Sequence, residues 1–265
     1  MELAGKKVLL TGATGGLGRA IATSLARRGA LLTLSSRKGP ELDALAASLP
    51  GDGHRAAVSD LAEDDAAVDL ANEAGEIDVL VANAGLPASG VLDDFSQDEL
   101  GRSLRVNLEG PIRMTRELLP GMRDRGVGHL VYVASLAGKV APLRASIYSA
   151  TKFGLRGFGM GLRDDLHGTG IGVSVVLPGF VRDAGMFADS GAKTPLGLGT
   201  ASPEDVGEGV VKAIERNKQQ VDIAPLRQRF MVSLGHHYPG LASRIQRAGG
   251  TGAADEIAAG QLDKR

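Results

Sequence analysis

The stretch VLLTGATGGLGRAIA, from Val8 to Ala22, decides the fold of this chain. A short apolar run, typical of a buried β-strand, enters a cluster of glycines and continues into residues with helical periodicity. Such a unit brings backbone N–H groups and the positive end of a helix dipole together, which suits a pyrophosphate. The glycine spacing matches neither G-x-G-x-x-G nor a P-loop. The turn alone therefore leaves two interpretations open: a phosphate-binding turn or a tight strand-to-helix connection.

The rest of the chain repeats this alternation of strand and helix. Apolar runs rich in valine and leucine alternate with longer alanine-rich stretches of helical period, a pattern typical of βαβ units around a parallel sheet. The sequence predicts an α/β fold, a doubly wound parallel sheet of about seven strands with helices on both faces. The predicted strands are 8–10, 31–34, 56–58, 79–82, 130–133, 173–177 and 221–224, and the predicted helices are 17–28, 40–48, 63–74, 96–123, 146–167 and 203–217.

Composition limits the classes of function. The 265 residues suit a single α/β domain over 1–265. With 30 basic and 31 acidic residues, the chain lacks the overall charge expected of a nucleic-acid-binding or membrane-binding protein, so a small-molecule partner is favoured. The absence of cysteine excludes disulfides, thiolate catalysis and cysteine-bound zinc, and fits a cytoplasmic protein. No apolar run is long enough to span a bilayer.

A tyrosine and a lysine in a predicted helix offer acid–base chemistry. Tyr148 and Lys152 are four residues apart, so they share one helix face. An unperturbed tyrosine has a pKa near 10, and a neighbouring cation favours its phenolate. Taken alone, the pair is more typical of an ordinary surface contact.

Other polar residues lie where strands of an open α/β sheet end. Ser135 follows one predicted strand, and 83–85 closes another, at the edge where such sheets bind ligands. Asn107 lies inside a helical stretch, where asparagine is costly unless its amide has a specific partner. The simpler interpretations are a turn serine and a strand-ending turn.

Together these motifs resemble those of the short-chain dehydrogenase/reductases. The resemblance covers about 6–224 and rests on Thr11-Gly12-x-x-x-Gly16-x-Gly18, Asn83-Ala84-Gly85, Asn107, Ser135, Tyr148-x-x-x-Lys152 and Pro178-Gly179, in that order. It implies a Rossmann-like fold and hydride transfer between a nicotinamide and a CH–OH group or carbonyl. An epimerase or dehydratase of the extended branch is disfavoured by the glycine spacing and the short C-terminal region.

The resemblance also implies the catalytic roles. Tyr148 would be the general acid/base, and Lys152 would lower its pKa and hold the nicotinamide ribose. Ser135 would polarise the substrate oxygen, and Asn107 would hold a water linking Lys152 to a proton relay. A cofactor-binding regulatory or scaffold protein of the same fold is the alternative, although such relatives normally lose a catalytic residue.

The cofactor residues follow from the same resemblance, and the end of the second strand predicts which nicotinamide cofactor binds. Ser36 and Arg37 are followed by Lys38, with no acid before Glu41, which favours the 2′-phosphate of NADP(H) while NAD(H) stays possible. Arg19 is a candidate second cation; alternatively, the basic pair is a solvated loop. The predicted cofactor-binding residues are Gly12, Thr14, Gly16, Leu17, Gly18, Ser36, Arg37, Asp60, Leu61, Asn83, Ala84, Gly85, Tyr148, Lys152, Pro178, Gly179 and Val181.

One position departs from the family pattern. The family commonly has a threonine four residues after the Pro-Gly glycine, contacting the nicotinamide carboxamide, and Asp183 stands there in this chain. An acid can accept a hydrogen bond from the amide, so cofactor binding stays feasible. The geometry of that contact is left open.

The substrate side has weaker signals. We expect a substrate loop over 183–200, a C-terminal extension over 226–265 and fraying of the last fifteen residues. Apolar residues near the expected site favour an aliphatic or lipid-like substrate, such as a 3-oxoacyl or steroid-like carbonyl. They are Leu86, Val140, Leu143, Met186 and Phe187.

The segment 226–247 mixes arginines with apolar residues, and three roles stay open for it: a cap on the substrate cleft, an oligomer interface or a membrane contact. His236 and His237 have no further ligand at metal-binding spacing, so we expect no metal site. The family resemblance also suggests a homodimer or homotetramer, in which the helices carrying Asn107 and Tyr148 pack against their mates.

Overall fold

The computed structural model describes residues 1–192, 194, 197–248 and 250–262. The strands are β1 Lys7–Thr11, β2 Leu31–Ser36, β3 Arg55–Val58, β4 Val79–Ala82, β5 Gly128–Val133, β6 Ile171–Pro178 and β7 Gln220–Ile223. They form an entirely parallel sheet in the order β3-β2-β1-β4-β5-β6-β7. All seven predicted strands are present, and the fold class is the Rossmann-like one that the sequence predicts.

Helices cover both faces of this sheet. The helices are α1 Gly16–Ala26, α2 Gly39–Ser48, α3 Ala66–Ala74, α4 Gln97–Leu104, α5 Gly110–Arg125, α6 Ser146–Asp165, α7 Met186–Asp189, α8 Pro203–Glu215, α9 Leu226–His237, α10 Pro239–Ala248 and α11 Gly252–Ala259. Side chains of β1 alternate between two apolar cores: Val8 and Leu10 face the core with α1 and α8, and Leu9 faces the core with α3, α5 and α6.

The strand order positions the site. The chain moves outward from β1 to β2 and β3, then returns to β4 on the other side of β1. A doubly wound sheet binds its ligand at such a switch point, outside the carboxyl ends of the strands. The ends of β1 and β4, where the glycine turn and 83–85 lie, therefore form one crevice.

Three local features differ from the predictions. The predicted helix 96–123 is interrupted by a π-helical turn, Arg105–Glu109, between α4 and α5. The substrate loop contains the short helix α7, while residues 193, 195 and 196 of that loop lie outside the described residues. Within the last fifteen residues, where fraying is expected, the chain forms helix α11 and Gln261 after it is buried, while residues 263–265 lie outside the described residues. Among the described residues, no helix is long and apolar enough to cross a membrane.

Candidate active site

The glycines of the first turn are required by close backbone contacts. Gly12 has φ +66°, and a Cβ there would lie 2.8 Å from the Cα of Ala84. A Cβ on Gly18 would lie 2.1 Å from the carbonyl oxygen of Gly12. Helix α1 begins at Gly16 without a side-chain cap, so its first N–H groups face the crevice unopposed by a polar side chain. This uncapped cradle fits a pyrophosphate.

Thr11 and Asn83 join the ends of β1 and β4 beneath the turn. The Thr11 hydroxyl oxygen accepts hydrogen bonds from the backbone N–H groups of Asn83, at 3.1 Å, and Ala84, at 3.0 Å. The Asn83 side-chain amide donates to the Thr11 carbonyl oxygen at 3.0 Å. These bonds fix the floor of the crevice, so Asn83, Ala84 and Gly85 lie where the resemblance implies cofactor contacts.

The end of β2 carries the predicted 2′-phosphate contacts. The Ser36 hydroxyl accepts a hydrogen bond from the Lys38 backbone at 3.2 Å, and exposed Arg37 lies 3.9 Å from the Asp60 carboxylate. Asp60 also accepts from the Ala62 backbone, and the neighbouring Leu61 is buried. The cations are thus presented to solvent at the switch-point edge, beside the glycine turn.

Glu41 is a charged residue that the sequence analysis did not place in this cluster. It pairs with Lys38 at 2.9 Å and with Arg19 at 3.4 Å. The hydrogen bond from Lys38 lowers the pKa of the Glu41 carboxyl, with Arg19 acting in the same direction. Arg19 also donates to the Thr14 carbonyl oxygen at 3.0 Å. The position of Glu41 in the sequence could have indicated this contact, because the first turn of α2 begins beside the end of β2.

Tyr148, Lys152 and Ser135 come together at the carboxyl ends of β5 and β6. Helix α6 carries both Tyr148 and Lys152, and the Lys152 ammonium lies 5.6 Å from the centre of the Tyr148 ring. Lys152 is buried and donates to the Val133 carbonyl oxygen at 3.2 Å. Ser135 follows β5, its hydroxyl accepts from the Ala137 backbone N–H at 3.1 Å, and it lies close enough to Tyr148 to lower the pKa of that phenol. The structure therefore places three of the four predicted catalytic residues close together.

Burial shifts the pKa of both Tyr148 and Lys152. Desolvation raises the pKa of Tyr148, and the Ser135 hydroxyl opposes that shift without reversing it. Burial also lowers the pKa of Lys152 to about 8. Both shifts have one cause, because desolvation disfavours the charged form of each group. The lowering of the Tyr148 pKa by Lys152 that the resemblance implies stays a prediction.

Asn107 lies on the π-helical turn and uses its amide to hold the chain after Gly85. Its carbonyl oxygen accepts from the Leu86 backbone N–H at 2.7 Å, and its NH₂ donates to the Leu86 carbonyl oxygen at 2.9 Å. A Cβ on Gly85 would lie 3.3 Å from the Asn107 amide oxygen and 3.7 Å from the Lys152 ammonium. Asn107 and Lys152 thus flank the same glycine. The water expected between them stays a prediction, for which the amide has one donor and one acceptor position left.

The Pro178-Gly179 segment leads into the substrate loop, where Asp183 faces solvent. Asp183 has φ +65°, and its exposed carboxylate lies 3.3 Å from the Arg182 guanidinium. The next residues turn back to the crevice instead: a Cβ on Gly16 would lie 2.4 Å from the Ala184 Cβ. Met186 lies over Gly85, with its terminal methyl 3.2 Å from the position of a Cβ there. Met186 was expected beside the site from the sequence, whereas Ala184 is a site residue that the sequence pattern did not indicate.

Gln228, at the start of α9, was also missed. Its buried side chain lies against Gly179, where a Cβ would be 2.4 Å from the amide oxygen, and that oxygen has no hydrogen-bond partner among the described residues. Sequence patterns barely indicate this contact, because no motif or spacing relates a glutamine in α9 to the end of β6. Val181, two residues after Gly179, is buried, and its contact with the cofactor stays a prediction.

The two adjacent histidines have structural contacts. A ring nitrogen of His236 lies 3.1 Å from the Lys139 carbonyl oxygen, and one of His237 lies 2.8 Å from the Ser233 carbonyl oxygen. Across the described ranges, no group of three or more histidine or carboxylate side chains is arranged to hold a metal ion.

Comparisons with known proteins agree with the class that fold and site define. The family model described as short chain dehydrogenase matches residues 6–195, and the chain belongs to that family. It is an NAD(P)-dependent short-chain dehydrogenase/reductase that acts on CH–OH donors.

Individual relatives and solved structures are similar over most of the chain. The chain is 36% identical to the ketoacyl reductase HetN of Nostoc over 92% of this chain and 89% of that protein. A short-chain dehydrogenase from Sphingobium yanoikuyae in complex with NADPH has a TM-score of 0.77 and 28% identity, covering 90% of this chain and 95% of that one. A closed form of serine dehydrogenase complexed with NADP+ has a TM-score of 0.74 and 31% identity, covering 84% and 96%.

Proposed function

We propose that this protein is an NADPH-dependent reductase of an aliphatic or lipid-like ketone, with Tyr148 as the proton donor. The observation that carries the proposal is the contact of Tyr148 with Ser135, beside buried Lys152 and next to the uncapped glycine turn. A phenol whose pKa is raised by desolvation is protonated at neutral pH, which suits the reductive direction.

In this mechanism, NADPH supplies a hydride when it is bound in the crevice. Gly12 and Gly18 allow the close backbone packing of the turn, which directs the first N–H groups of α1 into the crevice, where they would bind the pyrophosphate. Ser135 donates a hydrogen bond to the substrate carbonyl oxygen, and Tyr148 transfers its proton to that oxygen as the carbon is reduced. Lys152 then stabilises the phenolate, and its own position is fixed by the Val133 carbonyl. Donors held in place before the reaction stabilise the developing alkoxide.

Three cations support the preference for NADP(H). Arg37 and Lys38 follow β2, and Arg19 reaches the same cluster from α1 through Glu41. Lys38 and Arg19 share the single carboxylate of Glu41 at 2.9 and 3.4 Å, whereas Arg37 lies at a longer 3.9 Å from Asp60, so Arg37 is the cation most available to a 2′-phosphate. The complexes of two similar proteins with NADPH and NADP+ are consistent with this proposal.

The walls of the cleft support an apolar substrate. Met186 lies over Gly85, the rings of Phe180 and Phe187 are 4.6 Å apart, and Val140 packs against Gly235 of α9. Leu86 is buried behind the site. The ketoacyl reductase relative makes a 3-oxoacyl thioester the first substrate class to examine.

We also propose assembly into a homodimer or homotetramer. Leu104, at the end of α4 just before the π-helical turn that carries Asn107, and Phe153, on the same helix α6 as Tyr148, are large exposed apolar side chains. A partner copy would cover both, as expected of an interface between mates.

Steady-state cofactor oxidation tests the proposed function. The protein is supplied with a panel of ketones and 3-oxoacyl thioesters, with NADPH and NADH compared for each. We expect turnover of at least one aliphatic carbonyl, with kcat/KM about tenfold or more higher with NADPH, the worth of one charged hydrogen bond. Cofactor binding without turnover across the panel would instead support the scaffold alternative, and a preference for NADH would overturn the cofactor proposal.

A further inference from the structure

Helices α9 and α10 expose large apolar side chains to solvent. Leu226 and Phe230 of α9, four residues apart on one face, are 79% and 68% exposed. Leu241 and Ile245 of α10 repeat this spacing and are 50% and 52% exposed, and Tyr238 between the helices is 60% exposed. Such a concentration of exposed apolar residues in two adjacent helices is unusual for a surface that faces only water.

The same segment is strongly basic. Between 226 and 248 the chain has four arginines, two histidines and no acidic residue, although the whole protein has a net charge of −1. The arginines, which are all exposed, are Arg227, Arg229, Arg244 and Arg247. The next acid along the chain, Asp255, pairs with Arg144 at 2.8 Å. The overall charge balance therefore conceals a local positive surface.

The opposite faces of both helices are fastened to the cleft. Val232 packs against the core between the sheet and α6, and a Cβ on Gly235 would lie 3.1 Å from Val140. The Gln246 side chain accepts a hydrogen bond from the Leu143 backbone at 3.1 Å. These contacts hold the inner faces of α9 and α10 against the cleft. The apolar and basic residues on the outer faces therefore point to solvent beside the substrate walls.

The positive charge of this surface indicates which kind of partner binds to it. An interface with a second copy through a two-fold axis would bring each patch against itself and place arginines near arginines, which is unfavourable. Nucleic acid would satisfy the arginines but leave the leucine, isoleucine and phenylalanine side chains exposed. An anionic phospholipid surface satisfies both, because acyl chains take the apolar residues and headgroups take the arginines.

We infer that the exposed faces of α9 and α10 dock the protein on an anionic lipid bilayer. The helices lie in the headgroup region and do not span the bilayer. Docking there brings the cleft wall formed by Val140 and Leu143 close to the membrane surface. The inference goes beyond the proposed reaction and does not depend on it, since vesicle binding needs no turnover.

Vesicle co-sedimentation tests this inference. The full-length protein is mixed with phosphatidylglycerol-containing vesicles or with pure phosphatidylcholine vesicles, at low and high salt. We expect binding to the anionic vesicles only, weakened by high salt because the arginines act through screened charges. Absence of binding to anionic vesicles at low salt would overturn the inference.

Paired variants distinguish vesicle binding through this surface from nonspecific adhesion of the protein to vesicles. Arg244→Gln with Arg247→Gln is expected to weaken binding about fivefold per arginine, whereas Arg116→Gln with Arg123→Gln, on exposed positions of α5, removes the same charge elsewhere and leaves binding unchanged. Phe230→Ser is expected to weaken binding, and Leu92→Ser, at another exposed apolar residue, is not.

Light scattering and thermal unfolding of each variant without vesicles complete the test. Unchanged oligomeric state and melting temperature, together with lost vesicle binding, support docking. Equal loss of vesicle binding in the α5 or Leu92 variants would overturn it. So would dissociation of an oligomer by Phe230→Ser with vesicle binding intact, which would assign the surface to a second copy.

Discussion

The glycine turn after β1 and the segment after β7 both border the crevice, but they are specified in different ways. In the turn, Gly12 and Gly18 are fixed by contacts within the chain's first twenty residues and with Ala84. In the C-terminal segment, Gln228, Gln246 and Gln261 are placed by contacts with residues far away in sequence. Backbone geometry thus defines the cofactor side, and long-range side-chain packing defines the substrate side.

The largest effect on cofactor binding is expected for Gly18→Ala, which changes the backbone geometry of the turn. The added methyl group would lie 2.1 Å from the Gly12 carbonyl oxygen, so the turn must shift. A displacement of about 1 Å at such a site can cost about 100-fold, and we expect NADPH affinity to fall by that order. Titration monitored by the fluorescence of NADPH, or calorimetry with NADPH, measures the dissociation constant.

Gly15→Ala is the matched control in the same turn. A Cβ on Gly15 would lie 3.4 Å from the same oxygen, and its φ of −66° suits alanine. NADPH affinity should be almost unchanged in this variant. If both alanine variants bound NADPH like the wild type, the backbone account of the turn would be wrong.

The second prediction concerns the sheet that supports both regions. His129 is buried on β5, with a ring nitrogen 2.8 Å from the Ser174 hydroxyl, and burial lowers its pKa to about 3. An unfolded histidine titrates near 6.5, so the unfolded chain takes up a proton first as the pH falls. The free energy of unfolding should decrease between about pH 6.5 and pH 3, by about 2 kcal/mol between pH 7 and pH 5.

Urea unfolding of the wild type and His129→Gln at pH 7 and pH 5 checks this slope. Other groups contribute equally to both proteins, so the difference between the two pH dependences isolates His129. We expect the variant to be less stable at pH 7 and to lose about 2 kcal/mol less on acidification. Identical pH dependences would show that His129 does not titrate as its burial requires.

The smallest predicted effect concerns the preference for NADPH over NADH on the cofactor side. Arg37→Ala should raise KM for NADPH about tenfold with little change for NADH, because one charged hydrogen bond is lost. Glu41→Gln should act in the opposite direction by releasing Lys38 and Arg19. Arg27→Ala, at an exposed position after α1, is the control for general charge. Equal changes for NADPH and NADH in Arg37→Ala would contradict the assignment.

Much of this molecule was predictable from sequence, for physical reasons. Strand and helix periodicities are local, so all seven strands appear where β-branched and leucine-rich runs predict them. Tyr148 and Lys152 share a face through helix geometry alone. By contrast, the placement of Glu41 and of the segment from Ala184 to Met186 depends on how loops pack across the crevice. The direction of the Tyr148 pKa shift depends on desolvation, which spacing does not reveal.

The C-terminal helix α11 illustrates the same limit. Its small, polar sequence predicts fraying, yet Asp255 pairs with Arg144, and Gln261 donates to the Met186 carbonyl oxygen at 3.1 Å. These partners lie more than seventy residues away in sequence. Helix α11 thereby connects the two walls of the substrate cleft, which no local pattern in 248–262 indicates.

The kinetics of Tyr148→Phe test whether Tyr148 is the proton donor, since this change removes only the hydroxyl group. We expect kcat/KM for reduction to fall about 100- to 10,000-fold, the usual contribution of a positioned proton donor, while the dissociation constant for NADPH is unchanged. Retention of most of the wild-type turnover by a correctly folded Tyr148→Phe variant would contradict the assignment of Tyr148 as the proton donor.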